Sequence, residues 1–264
     1  MRVFVAVLIS VLVGCAERPS AITFGAPTPL TQLETTSIHA LDLALTIGVG
    51  DDVEAQHQSE ADRSRVRVER ADDGATLQIL EWKNSNLEGR GVKVTSSSVI
   101  TTDDDRPVPS ETAVFARSLT QPLAGPDALQ VELMRVPTFL NRRVARLEHT
   151  FASLARQSLG QNVEVRNATV QLTGATESVA VFTTTLDATT TSGPVQMDYA
   201  LTGTLEVQRA DTFILGFTLE GPVTVETPGA TTEQPSVRGA GTLVLSRRMR
   251  PLITAEAQVV SARP

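Results

Sequence analysis

Cysteine is almost absent from this chain. The 264 residues contain one, Cys15. A single thiol has no partner for an intrachain disulfide and cannot build the zinc sites made of several cysteines. Histidine is nearly as rare, with His39, His57 and His149 only. Glu148-His149 has no second histidine one helical turn away, so the zinc-protease pattern is missing. Aromatic residues make up 4% of the chain, too few for a surface that stacks sugars or bases. Lysine is confined to Lys83 and Lys93, and the formal net charge is −7. An acidic chain lacks the basic face that phosphate neutralisation requires, so no nucleic-acid partner is expected. There is no Gly-x-Ser-x-Gly elbow, no phosphate-binding glycine loop and no dinucleotide fingerprint. The acid run Asp103-Asp104-Asp105 is followed by Arg106, Pro107 and Pro109, which do not supply the spaced oxygen ligands of a calcium loop. No catalytic residue, metal site or cofactor is assigned.

Long apolar runs are also missing, apart from one at the start. Arg2 is followed by Val3 to Val13, interrupted only by Ser10. The run is too short for a membrane span, which takes roughly 20 residues. Its charge, length and small-residue exit are those of a secretory signal peptide over residues 1–14. Leu12-Val13-Gly14-Cys15 resembles the lipobox of bacterial lipoproteins. That resemblance covers residues 1–15 only. It implies that Cys15 is thioether-linked to diacylglycerol, that the peptide bond before it is cut, and that the new amino terminus is acylated. It also gives the solitary cysteine a use. The expected location is the bacterial cell envelope, with the protein lipid-anchored at the periplasmic face of the outer membrane or at the cell surface. Ala16, rather than aspartate, follows the cysteine, a choice that resembles outer-membrane sorting.

Removal of the signal leaves about 250 residues, enough for one large domain or two small ones. Residues 15–36 contain Pro19, Pro27 and Pro29 with little periodicity and read as a lipidated amino terminus and flexible tether. A short edge strand at Ile22–Phe24 is the alternative there. A globular body is expected over 37–264, with 37–136 and 161–264 as candidate halves.

What the body has in abundance is threonine, 33 residues, and alternation. Threonine with valine favours extended strands. Leu41, Leu43, Leu45, Ile47 and Val49 share one face of a strand by their period of two. Gly48, Gly50, Asp51 and Asp52 mark a turn. Further strands are expected at 63–70, 75–82, 91–101, 112–119 and 129–136. Ala71-Asp72-Asp73-Gly74 is a hairpin turn. Met197 to Val207 and Phe213 to Val225 alternate strictly and are joined at Arg209-Ala210-Asp211. Val163 and Val165 fit one register while Ala168, Val170 and Leu172 fit the other, which predicts a bulge near Asn167. Last strands are expected at 240–246 and 253–259.

One stretch has a different period. Leu140, Val144, Leu147, Phe151 and Leu154 are spaced by four, three, four and three, which predicts a helix over 138–159. Thr138 is placed to cap it and Gly160 to end it. Arg142, Arg143 and Arg146 lie on its other face and are read as solvated.

The fold class expected from this pattern is α+β, a curved antiparallel sheet with the long central helix on its concave side. Two strand-rich lobes joined by that helix are the alternative. The functional reading is a non-catalytic binding module, held to the membrane through its lipid, for an apolar ligand or a partner protein of the envelope. A structural accessory of the envelope is the alternative, and a hydrolase is third. The long antiparallel strands also resemble those of uncharacterised envelope lipoproteins, a resemblance that carries no functional motif.

Overall fold

The computed structural model describes residues 21–25, 30–49, 52–82, 89–95, 100–102, 106–108, 113, 116, 119, 135–137, 145–160, 162–227 and 235–252. Residues 1–20 lie outside this set, and with them the signal segment and Cys15.

The chain builds one open antiparallel sheet of ten strands. A short pair stands apart from it, β1 (Ala21–Thr23) with β7 (Arg135–Pro137). The first meander comprises β2 (Gln32–Val49), β3 (Asp52–Ala71), β4 (Gly74–Trp82), β5 (Gly91–Thr95) and β6 (Ile100–Thr102). The helix α1 (Ala145–Leu159) follows. The second meander comprises β8 (Val163–Ala175), β9 (Val179–Ser192), β10 (Val195–Gln208), β11 (Ile214–Glu226) and β12 (Ser236–Pro251). The spatial order is β6-β5-β4-β3-β2-β12-β11-β10-β9-β8. The two meanders therefore meet where β2 pairs with β12, from Leu33 opposite Pro251 to Gly48 opposite Ser236.

This corrects the expected fold class. The protein is β-rich, not α+β with a long central helix. The described helix runs over 15 residues, and residues 138–144 lie outside the described set. The two-lobe alternative also fails, because the β2–β12 ladder makes one continuous sheet. Part of the excess strand comes from β3, which has 20 residues where the alternation marks only 63–70. Its first half, Asp52 to Ala61, is exposed on both faces. A strand wetted on both faces carries no apolar period and is invisible to a search for one. The strand expected at 112–119 is not found either. Ala113, Ala116 and Leu119 have helical backbone, and their spacing of three is that of a helix face. The folded body also reaches further toward the amino terminus than Ser37. β2 begins at Gln32, and Ile22 and Phe24 are buried.

Several local expectations hold. Ala71 pairs with Gly74 across the Asp72-Asp73 turn, and Gly74 has φ +124°. The β8–β9 register shifts between Val165 and Asn167. α1 ends before Gly160, whose φ of +108° suits a residue without a Cβ.

One face of the sheet is the core face. On β9 to β12 it carries Phe182, Leu186, Leu201, Leu205, Phe217, Leu219, Val223, Leu243 and Leu245, all buried. α1 lies on β8 and β9 and buries Leu147, Phe151, Leu154 and Ala155. Phe151 meets Phe217 of β11 edge to face, with centroids 6.3 Å apart and planes at 85°. Through this contact the helix seated on β8 and β9 also reaches β11. Glycines permit close approach of neighbouring strands within the sheet. A Cβ on Gly203 would overlap the carbonyl oxygen of Thr218, and one on Gly241 would overlap that of Asp42. Glu148 accepts a hydrogen bond from the Val170 N–H at 3.2 Å. The helix thus covers the β8 edge and satisfies a buried donor there.

A second apolar cluster sits on the same face over β3 to β6. It contains Val66, Val68, Leu77, Ile79, Val92 and Ile100, with Ala116 and Leu119 packed on them. The opposite face of the sheet is polar and threonine-rich. Thr169 and Thr185 hydroxyls are 2.5 Å apart, and Thr189 donates to Asp198 at 2.6 Å. Arg166 pairs with Asp198 at 3.0 Å. These contacts hold the Asp198 carboxyl below the usual carboxylate range, the Thr189 and Gln196 hydrogen bonds contributing most.

Candidate functional site

The core face is not uniform along its strands, and two features of it are candidates for function. The first is an apolar row at one end of the sheet. The pairing registers place Val163, Thr190, Met197, Val225, Gly239 and Leu45 side by side across β8, β9, β10, β11, β12 and β2. The neighbouring rows add Val165, Tyr199, Val237, Leu41, Leu43 and Ile47. Val163, Val165, Met197, Val237, Leu41, Leu45 and Ile47 are only half-buried. Toward the other end of the same strands, Leu205, Val207, Ile214 and Phe217 are buried. The core face is thus sealed at the end where β10 turns into β11 and incompletely covered at the end where β9 turns into β10. Gly239 and Gly241 lie in this open end. The Leu45 side chain lies over Gly239, and the Asp42 carbonyl stands where a Cβ of Gly241 would be. Tyr199 supplies the polar tip: its hydroxyl lies 3.2 Å from that of Thr190, and burial raises its pKa above the ordinary value.

The second feature is a polar seam between the two apolar clusters. Thr35, Ser37 and His39 follow one another on the core face of β2. β12 places Arg247 opposite Ser37, and β3 places Ser64 opposite Ser37 and Asp62 opposite His39. Arg247 is 3% exposed, and burial lowers its pKa to about 10, so it stays cationic at neutral pH. Burial lowers the His39 pKa, and the charges of Glu60 and Asp62 offset part of that shift. The Trp82 indole N–H donates to Asp62 Oδ2 at 2.5 Å. Serine, histidine and aspartate thus lie on adjacent strands, but the Ser37 Oγ makes no hydrogen bond. A nucleophile needs contact with its base, and that contact is not in place here.

The remaining sequence candidates are dispersed. His57 is on the opposite face, 3.0 Å from Asp42, with both side chains exposed. His149 is exposed on α1. Asp103, Asp104, Asp105, Arg142 and Arg143 lie outside the described residues, as does the Arg146 side chain. Asn167 faces solvent and hydrogen-bonds Asp187 at 3.2 Å. Among the described residues, no three His, Cys, Asp or Glu side chains are grouped to hold a metal ion, and no helix is long and apolar enough to cross a membrane.

The apolar row was half legible in sequence. The alternation names Leu41, Leu45 and Met197, but only the registers align them into one surface. The seam was missed. Ser37 and His39 share the parity of the apolar stripe, which is a readable signal. Asp62, Ser64 and Arg247 come from strands whose pairing the sequence does not state.

No family model matches the chain, and no curated protein matches it. Among solved structures it is similar to one described as lipid–protein interactions in lipovitellin, at 10% identity and a TM-score of 0.34. The match covers 86% of this chain and 26% of that one, so the chain spans about a quarter of that structure's length. A superposition at that level falls short of a shared fold.

Proposed function

We propose that this protein is a lipid-anchored bacterial envelope protein that binds an apolar ligand, such as an acyl chain, on the incompletely covered end of its core face. The observation that carries the ligand reading is the half-buried apolar row Val163, Met197, Val237, Leu41 and Leu45 on the core face of the sheet. Ligand sites are concave and mostly apolar, with few polar groups. Here the Tyr199 and Thr190 hydroxyls are the polar groups within the row. The anchor reading rests on Leu12-Val13-Gly14-Cys15. Two or more acyl chains give stable attachment, where one gives only marginal binding. Binding here involves no catalysis: the seam offers charge and hydrogen bonds between two apolar clusters, not an assembled nucleophile.

Native mass spectrometry of the full chain purified from its host tests the ligand reading. The expected result is a co-purified lipid that is lost in Leu45→Glu and Met197→Glu. Both residues are only half-buried, so the variants keep the fold. Retention of the lipid in both variants, or capture of no lipid by the native chain, would refute it. Capture of a protein in its place would favour the structural-accessory alternative.

A further inference from the structure

Beyond β4, β3 forms an arm paired on one side only, with β2, which itself stays paired with β12 as far as Gly48. The β2–β3 register is unbroken from Gln32 opposite Glu69 to Val49 opposite Asp52. β4 joins β3 only from Ser64 onward. Among the described residues, no strand pairs with Val53 to Glu60 on the side away from β2. Every residue from Asp52 to Ala61 is exposed, and Val53 is 61% exposed.

The direction of the backbone groups on that edge follows from one hydrogen bond. The Arg70 N–H donates to the Thr31 carbonyl at 2.8 Å, toward β2. Along a strand the N–H and C=O groups point alternately to the two sides. With no slip in the register, even-numbered residues of β3 face β2 and odd-numbered ones face away. Val53, Ala55, His57 and Ser59 therefore each present a donor and an acceptor to solvent, in a straight row. Natural edges are blunted by proline, bulges or short length. This one has no proline, no bulge against β2, and several residues of free length. Its remaining protection is charge: Glu54 and Glu60 lie on the core-face side of the sheet, Asp52 is at the tip, and Asp42 faces His57 on the other side.

We infer that the β3 arm is a docking edge for an extended, basic segment of a partner protein, which pairs with Val53–Ser59 by strand addition. Strand addition draws affinity from main-chain hydrogen bonds and specificity from alternate side chains. A partner strand with Lys or Arg at alternate positions sets opposite charges beside Glu54 and Glu60, and such cross-strand pairs are favourable. A second copy of this chain would set acid against acid, which is unfavourable. The arm borders the open apolar row, since Gln56 lies opposite Leu45 and Glu54 opposite Ile47. A partner bound there stands beside the incompletely covered end of the core face. The inference does not depend on the ligand reading.

The test uses the full chain and a fluorescent nine-residue peptide that alternates lysine and threonine. We expect saturable binding by anisotropy, with slowed amide hydrogen exchange at residues 53, 55, 57 and 59. Ala55→Pro removes one outward donor and leaves the β2–β3 ladder intact, because that N–H does not face β2; edge positions of this kind tolerate proline. It should weaken binding at least tenfold with an unchanged melting midpoint. Glu54→Lys with Glu60→Lys, at two exposed positions, tests the same point without touching the backbone. It should abolish binding of the lysine peptide and create binding of the corresponding glutamate peptide. Undiminished binding in either variant, binding without slowed exchange at those amides, or no saturable binding would overturn the inference. So would self-association of the native chain that Ala55→Pro abolishes, which would assign the edge to a second copy.

Discussion

Replacing Phe151 by alanine removes the centre of the contact between the helix and the sheet. Phe151 is 0% exposed, and its ring meets Phe217 edge to face. Truncation of a buried phenylalanine costs about 3–5 kcal/mol, through lost transfer energy and the cavity left behind. The aromatic pair accounts for about 0.5–1.5 kcal/mol beyond its buried area. The loss is a large part of the 5–15 kcal/mol that holds a typical domain together. For a body of this size each kcal/mol lowers the melting point by about 2–4 °C, so a drop of roughly 6–20 °C is expected. The assay is urea unfolding of Phe151→Ala, Phe217→Ala and the double variant. An unchanged slope would place the change in stability rather than in the unfolded chain. The double-mutant cycle should return a coupling of about 0.5–1.5 kcal/mol. A loss below about 1 kcal/mol for Phe151→Ala, or strict additivity with Phe217→Ala, would show that the helix does not seat on this face.

Other predictions follow from single observations. Gly241→Ala sets a methyl against the Asp42 carbonyl, and because the clash is with backbone the strand must shift, so overpacking should cost about 1–3 kcal/mol in the same unfolding assay; a neutral result would mean the close approach of the two strands is not fixed there. The folded-state pKa of His39 is depressed, so above pH 6.5 the residue is neutral in both states and costs nothing; as pH falls below 6.5 the unfolded chain takes up the proton first and stability declines. His39→Gln should flatten that decline in melts between pH 7.5 and 5, and parallel curves for both proteins would refute the assignment. Asp198 behaves in the usual carboxylate sense: its pKa is lowered, its contribution is present above about pH 4, and it is lost as pH falls through the folded value, an effect that Asp198→Asn should remove. Cys15→Ser should abolish incorporation of labelled fatty acid, and undiminished labelling would end the anchor reading. A broad hydrolase screen should show no turnover; activity that survives repurification and disappears in Ser37→Ala or His39→Gln would turn the seam into an active site.

The sequence alone determined whatever depends on neighbours along the chain. Side chains alternate on a strand and recur every three to four residues on a helix, so β10, β11 and the buried stripe Leu147, Phe151, Leu154 were readable from periods of two and 3.6. The Asp72-Asp73 turn, the bulge before Asn167 and the helix stop at Gly160 are likewise local, each set by a few residues' backbone preferences. Everything that depends on which strand pairs with which was decided by the tertiary structure. The β2–β12 ladder joins residues some two hundred positions apart in a single sheet, and no local pattern encodes it. That ladder sets Arg247 opposite Ser37 and Gly239 opposite Leu45, which creates the seam and continues the apolar row. The polar half of β3 marks the other limit: with water on both faces there is no burial to impose a period, and its extended form follows only from hydrogen bonding to β2. Local sequence wrote the strands, and long-range pairing chose the surface they make.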